Sequence, residues 1–132
     1  MKVLESISSI IIVHSNGIIE TKIKPDWDQP DTPETAINHS LKLKEAVGNG
    51  IYGILTFLPS LYMKKEVIEA FGSVDIGHKA EAFLVNSVGS KLLANIAFKL
   101  LGSDVPRKVF TQKDKAEEWL VDQINEYKSN NL

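Results

Sequence analysis

Several residue types and patterns are missing from this 132-residue sequence, and each absence excludes a class of protein. Cysteine is absent, which excludes a disulfide framework, a thiolate metal site and a thiol nucleophile. Basic residues are not in excess, because 15 Lys and Arg stand against 17 Asp and Glu and give a formal net charge of -2. Nucleic-acid binding needs a concentrated positive surface, so we expect no nucleic-acid partner. Long hydrophobic runs are absent too, none exceeding the four residues of segment 10–13, so we expect no membrane span.

The composition that remains describes one folded domain. Hydrophobic residues make up 43% of the chain and charged residues 24%, which is the balance of a core-forming globular protein. A length of 132 residues fits a single domain over residues 1–132. The opening residues MKVLES lack the apolar core of a signal peptide, so we expect a cytoplasmic location.

Hydrophobic periodicity and turn residues predict alternating strands and helices. An isoleucine-rich strand over residues 4–13 is followed by Asn16-Gly17, a dipeptide typical of tight hairpin turns, and by a return strand over residues 18–23. Later strands are predicted at residues 51–57, 81–86 and 105–110, with helices at residues 33–47, 63–71 and 91–101 and a last helix capped by Thr111. The order ββαβαβαβα predicts an α/β fold with a five-stranded mixed sheet and four helices.

Two helices carry specific packing expectations. The first starts after a proline-rich segment, with Asp31 or Thr32 as N-cap and Pro33 in the first turn. Its buried side is expected to comprise Ala36, Ile37, Leu41, Leu43 and Val47. In the last helix the buried residues are expected to be Ala116, Trp119, Leu120, Ile124 and Tyr127.

Three segments of the C-terminal half resemble a known group of proteins. They are AFLVNSVGSKLLAN at residues 82–95, VPRKVFT at residues 105–111 and AEEWL at residues 116–120. Together with the element order, they resemble bacterial proteins of unknown function with a STAS-like (SpoIIAA-like) fold, which are related in shape to anti-sigma-factor antagonists. The resemblance implies a STAS-like fold and a regulatory role through protein contacts, and it implies no established reaction.

The sequence departs from that family at the phosphorylation switch. In anti-sigma-factor antagonists, a Ser or Thr at the start of the helix after the third strand accepts a phosphate, which changes partner affinity. Counting from Thr56, the matching turn falls at Lys64 or Lys65, and neither side chain accepts a phosphate. We therefore expect no phosphoswitch at this helix.

The segment from Asn86 to Lys91 is a candidate ligand or anion site. It runs from the carboxyl end of a predicted strand into a helix N-terminus, which is where open α/β sheets bind ligands. Asn86, Ser87, Ser90 and Lys91 would contact the ligand. The alternative is structural: Ser87 or Ser90 is then an N-cap, and Lys91 is solvated.

Trp27 and the three histidines are weaker candidates. Trp27 lies in the proline-bounded loop and either stacks on a partner or folds back over the core edge. His14, His39 and His78 have no metal-site spacing, so solvated or locally hydrogen-bonded histidines are expected, with no metal and no cofactor. The basic residues around Arg107 and Lys113 are expected to form a solvated face.

The predicted helix over residues 91–101 has a wide apolar arc. Its polar residues fall on one narrow stripe, and the rest is too wide for one sheet face to cover. Ala94 and Phe98 therefore need a neighbouring helix, an apolar ligand or a second subunit. A homodimer with Phe98 as its anchor is the prediction that follows from the last of these alternatives.

Three functions remain open from the sequence. Because no catalytic motif is present, we expect a non-catalytic regulatory or protein-binding module, with a protein partner or a second copy of the chain. The alternative is a small-molecule or lipid carrier that uses the 91–101 helix and the strand end at residues 86–91. An enzyme with an unrecognised site is the third function, and a cleft that joined His39 or His78 to a carboxylate would favour it.

Overall fold

Six strands form one mixed sheet, which three helices accompany, in the part of the chain that the structure describes. This computed structural model describes residues 1–58, 64–87 and 105–131. In chain order the elements are β1 (Lys2–Glu5), β2 (Ser9–Val13), β3 (Ile18–Ile23), α1 (Pro33–Val47), β4 (Gly53–Phe57), α2 (Lys65–Phe71), β5 (Ala80–Leu84), β6 (Arg107–Phe110) and α3 (Lys113–Asn130). The predicted α/β class is confirmed. The predicted helix over residues 91–101 lies outside the described residues.

The sheet has six strands where the sequence predicts five, because the predicted first strand is two strands. Ser6 breaks it: the Ser9 amide donates to the Ser6 hydroxyl at 3.0 Å, and the Ser6 amide donates to the Ser9 carbonyl at 2.9 Å. Serine hydroxyls that bond nearby amides favour turns over continued strands. β1 and β2 then pair antiparallel, with Leu4 opposite Ile11.

The hairpin at Asn16-Gly17 is confirmed, although its loop is longer than the two residues expected. β2 and β3 pair antiparallel with Val13 opposite Ile19, and the His14 amide donates to the Ile18 carbonyl. Of the two turn residues Asn16 and Gly17, only Gly17 has a left-handed backbone, with φ of 91°. The Asn16 side chain instead accepts a hydrogen bond from the Ile18 amide and fixes the turn.

The strands follow one another across the sheet in chain order, and this order decides where the helices lie. β3, β4, β5 and β6 are parallel neighbours, and β1 and β2 extend the sheet antiparallel beyond β3. Right-handed crossovers that all step in one direction place their helices on one face. α1 packs on this face, and α2 packs on α1. α3 follows the last strand and folds back over the opposite face.

Alternation along the central strands divides the core between the two faces. Ile19 and Ile54 pack under α1 with Leu43 and Val47, all almost fully buried. Their neighbours point the other way, so Leu55 packs under α3. β4 is therefore covered on both faces, as its nearly continuous apolar sequence predicts.

α1 begins as the sequence predicts but exposes two residues that were expected in the core. Thr32 is the N-cap, and its hydroxyl accepts from the Thr35 amide while the Thr35 hydroxyl accepts from the Thr32 amide. Ile37 and Leu41, predicted on the buried side, are 39% and 52% exposed. Helical geometry explains the error, since a sheet face covers only about 100° of a helix and Thr35, His39 and Ser40 take the inner positions.

α3 begins one residue later than predicted. Its N-cap is Gln112, which makes no side-chain cap bond, so the predicted cap at Thr111 is wrong. Leu120 is fully buried as expected, whereas Trp119 and Tyr127 are only half-buried, and the Trp119 ring lies against Phe110 with centroids 5.8 Å apart.

α3 can approach the sheet closely because β4 begins with a glycine. A Cβ on Gly53 would lie 2.9 Å from Leu120 Cδ2, which is nearer than packed carbon atoms approach. In the described parts of the chain, no helix is both long and apolar enough to cross a membrane.

Candidate functional site

A pocket of about 370 Å³ opens between the sheet and the two helices on its α1 face. Among the described residues, α2 packs mainly on α1 and makes few contacts with the sheet, so a space remains beneath it. The floor is formed by the carboxyl ends of β3 and β4, at Thr21 and Thr56, and one wall is the loop that leads into α1. Open α/β sheets bind ligands at this edge, outside the carboxyl ends of parallel strands.

Hydroxyl groups gather on the sheet side of the pocket. The Thr21 hydroxyl donates to the Thr56 hydroxyl at 3.3 Å across the β3–β4 pair. Ser8 and Ser9 line the same side and are 3% and 7% exposed, yet their hydroxyls have no hydrogen-bond partner among the described residues. Buried polar groups are normally hydrogen-bonded, so free hydroxyls at a pocket wall are suited to bind a ligand.

His39 supplies a further polar group from α1. Its ring is edge-on to Phe71 with centroids 6.1 Å apart, and its Nδ1 lies 3.5 Å from the Ser6 hydroxyl. The other ring nitrogen, Nε2, has no protein partner in the described segments. It is not fully enclosed by protein atoms. Since His39 lines the pocket, Nε2 is available to a ligand there. Burial lowers the pKa of His39 from 6.5 to about 4, so the imidazole is neutral at pH 7.

Among the described residues, the charged side chains that line the pocket are equal in number for the two signs. Lys22 and Lys64 are the cations, and Asp31 and Glu66 are the anions. Asp31 is already engaged, because it accepts a hydrogen bond from the Thr35 hydroxyl at 3.0 Å. Most of the remaining wall is apolar and includes Phe57, Leu58, Val67 and Phe71, while Gln29 and Thr32 add polar groups. A largely apolar pocket with a few converging polar groups is the usual form of a small-molecule site.

A second polar cluster lies at the other end of the parallel strands, near the start of β5. Glu81 accepts from His78 Nε2 and, at 2.9 Å, from Arg107 Nε on the neighbouring strand. Burial alone would raise the pKa of Glu81, but the bonds to His78 and Arg107 outweigh it and hold this pKa below its ordinary value. The cluster is nearly closed to solvent and joins β5 to β6, so we assign it a structural role.

This cluster corrects two predictions about side chains. His78 is hydrogen-bonded locally, as predicted, but it is 8% exposed and therefore not solvated, and His39 is equally buried. Arg107 does not lie on a solvated basic face, because it pairs with Glu81. Lys113, in contrast, is exposed as predicted, and its Nζ lies 3.5 Å from Glu20 and 3.9 Å from Glu117. Glu20 also lies 3.2 Å from His14 Nε2.

The sequence-predicted site residues that the structure describes do not line the pocket. Asn86 and Ser87 are exposed and follow β5, which ends at Leu84, two residues before the predicted end. The anion site there stays a prediction. Trp27 is half-buried in its loop and is not part of the pocket wall. Four predicted residues lie outside the described residues, namely Ser90, Lys91, Ala94 and Phe98.

Sequence reasoning missed the pocket because its parts come from distant segments. Ser8, Thr21, His39 and Thr56 are separated by more than ten residues at each step, and no spacing connects them. One usable signal was the row of hydroxyl residues at the ends of apolar strands, where an α/β sheet places its ligands. No group of three or more metal-ligating side chains was found in the three described segments.

The comparisons with known proteins identify a family. Residues 59–124 match the model described as Domain of unknown function (DUF7793), which covers half of the chain. The chain therefore belongs to the DUF7793 family. No curated protein and no solved structure matches it. The matched residues include α2, β5 and β6, whereas the pocket floor on β2, β3 and β4 lies before them.

Proposed function

We propose that this chain is a non-catalytic ligand-binding module of STAS-like fold, which holds a small uncharged molecule in the pocket between α1, α2 and the sheet. The single observation that carries the proposal is the pocket itself, a largely apolar space of about 370 Å³ lined by hydrogen-bonding groups that have no partner among the described residues. Its volume lies within the range of about 300–1,000 Å³ that is usual for small-molecule sites. The order of its strands and helices supports the STAS-like part, and a cytoplasmic location belongs to the same proposal.

The charges of the lining side chains indicate the class of ligand. Two lysines and two carboxylates cancel, and His39 is neutral, so neither an anion nor a cation is favoured. The apolar wall favours a hydrophobic body, and burying about 30 Å² of it stabilises the complex by about 1 kcal/mol. Ser8, Ser9 and His39 Nε2 favour a hydroxyl or carbonyl group on that body.

This proposal moves the carrier alternative to a different place in the fold. The sequence located the carrier site at residues 86–91 and on the 91–101 helix, whereas the pocket lies at the ends of β3 and β4.

The start of α2 supports the proposal that this helix is not a phosphorylation switch. α2 begins at Lys65 with Lys64 as its N-cap, so two lysines occupy the first positions of the helix.

A neutral fluorescent probe tests the pocket directly. N-phenyl-1-naphthylamine brightens in apolar surroundings, and we expect it to bind the wild-type protein with one-to-one stoichiometry. Thr56→Met fills the floor of the pocket and should weaken binding about tenfold or more. Thr111→Met is the matched control, because Thr111 is exposed and outside the pocket, and it should leave binding unchanged. Equal binding by both variants would place the probe elsewhere and contradict the proposal.

The polar anchor has a separate test. 1-Naphthol and naphthalene differ by one hydroxyl, so the ratio of their affinities reports hydrogen bonding within the pocket. We expect the wild-type protein to prefer 1-naphthol, and His39→Leu, which keeps the side chain's bulk, to reduce that preference. An unchanged preference in His39→Leu would remove His39 from the proposed site while leaving the pocket itself in place.

A further inference from the structure

The outer surface of α1 carries a self-complementary stripe of four residues. Glu34, Ile37, Leu41 and Lys44 are all exposed, and they follow one another at spacings of three, four and three. At 100° per residue they fall within about 80° of the helix circumference. This spacing is the one that coiled coils use for the residues of their contact seam.

Nothing in the described residues covers the two apolar side chains at the centre of the stripe. Ile37 is 39% exposed and Leu41 is 52% exposed, on a helix whose opposite side is fully buried. Ile7 is 45% exposed and lies beside them, because its amide donates to the Asn38 side chain at 2.9 Å. Exposed apolar residues that lie together on a surface often mark an interaction site.

The charges at the ends of the stripe identify what covers it. Glu34 and Lys44 form no ion pair among the described residues, whereas their neighbours Lys42 and Glu45 pair with each other at 3.4 Å. If a second α1 runs antiparallel about a two-fold axis midway between Ile37 and Leu41, each Ile37 meets a Leu41 and each Glu34 meets a Lys44. The stripe thus matches itself in both shape and charge, as an isologous interface requires.

We infer that α1 mediates self-association, with two copies of the chain packing their α1 helices antiparallel through Glu34, Ile37, Leu41 and Lys44. Antiparallel pairing also sets the positive end of each helix dipole beside the negative end of the other. One helix against one helix buries less than the roughly 1,200 Å² at which stable interfaces begin. The dimer is therefore weak and forms at micromolar to millimolar concentration.

Charge reversal tests this pairing in sedimentation equilibrium from 10 µM to 1 mM at low salt. Glu34→Lys and Lys44→Glu each place like charges opposite one another at both ends, and each should weaken dimerisation about tenfold or more. The double variant restores opposite charges and should dimerise like the wild type. An equimolar mixture of the two single variants should form a heterodimer, because one chain then offers only cations and the other only anions. Leu41→Asp should remove association.

Matched controls separate pairing from folding and from net charge. Asp122→Lys and Lys128→Glu make the same charge changes on exposed positions of α3 and should leave dimerisation unchanged. Circular dichroism at each concentration reports whether a variant is folded. Three results would each overturn the inference: a wild-type monomer up to 1 mM, single reversals that dimerise as the wild type does, and folded single variants that do not pair when mixed.

Discussion

The buried His39 should make the stability of this protein sensitive to mild acid. In the folded chain, burial lowers the pKa of His39 to about 4, whereas in the unfolded chain it returns to about 6.5. Between these two values the unfolded state binds a proton that the folded state does not. The stability is therefore complete above pH 6.5 and falls as the pH decreases towards 4.

The expected loss is large compared with the stability of a small domain. Each pKa unit corresponds to about 1.4 kcal/mol, so the difference between 6.5 and about 4 amounts to about 3 kcal/mol below pH 4. About 1.4 kcal/mol of this is already lost at pH 5.5. The free energy of unfolding of a small domain is about 5–15 kcal/mol, so the expected loss is a measurable fraction of the protein's stability.

Urea unfolding at pH 7.5, 6.5, 5.5 and 4.5 measures this effect. The wild-type free energy of unfolding should fall more steeply than that of His39→Gln, which carries no titrating group at this position. If the His39→Gln and wild-type curves are parallel from pH 7.5 to 4.5, then His39 titrates alike in both states and the reasoning from burial is refuted.

Three further predictions concern stability at neutral pH, each measured by urea unfolding. Leu120→Ala should cost about 3–5 kcal/mol because Leu120 is fully buried between α3 and the sheet, whereas Trp119→Ala should cost about 1–2 kcal/mol because Trp119 is half-buried; the reverse order would contradict the packing of α3. Gly17→Ala should cost about 1–2 kcal/mol because φ at Gly17 is 91°, and no loss would mean that the turn relaxes. Glu81→Gln should cost about 3 kcal/mol by leaving buried partners unpaired, while the exposed Glu118→Gln should change little; equal effects would mean that the cluster is not structural.

Local chemistry alone specified several parts of this structure correctly. Thr32 and Pro33 start α1 because a hydroxyl cap and a fixed φ act within a few residues. Gly17 turns the hairpin for the same kind of reason, since only its own backbone conformation is involved. The alternation of apolar strands and helices indicated a mixed α/β sheet, because burial on both faces shows directly in composition.

Errors arose where a residue's environment depends on what packs against it. Ile37 and Leu41 are as apolar as Leu43, and only the direction in which α1 lies on the sheet exposes them. Trp119 is half-buried for the same reason, because α3 turns only one side to β4 and β5. Ser6 ends a strand through a hydroxyl that bonds an amide three residues away, and an isoleucine-rich pattern conceals that break.

By itself, the sequence determined the fold class, the hairpin, the start of α1 and the absence of any thiol chemistry. Only the tertiary structure decided that Ser8, Thr21, His39 and Thr56 share one pocket, because the sequential sheet and the packing of α2 on α1 bring distant segments together. The pKa of His39 was decided in the same way, since desolvation depends on the atoms around a ring and not on its neighbours in the chain.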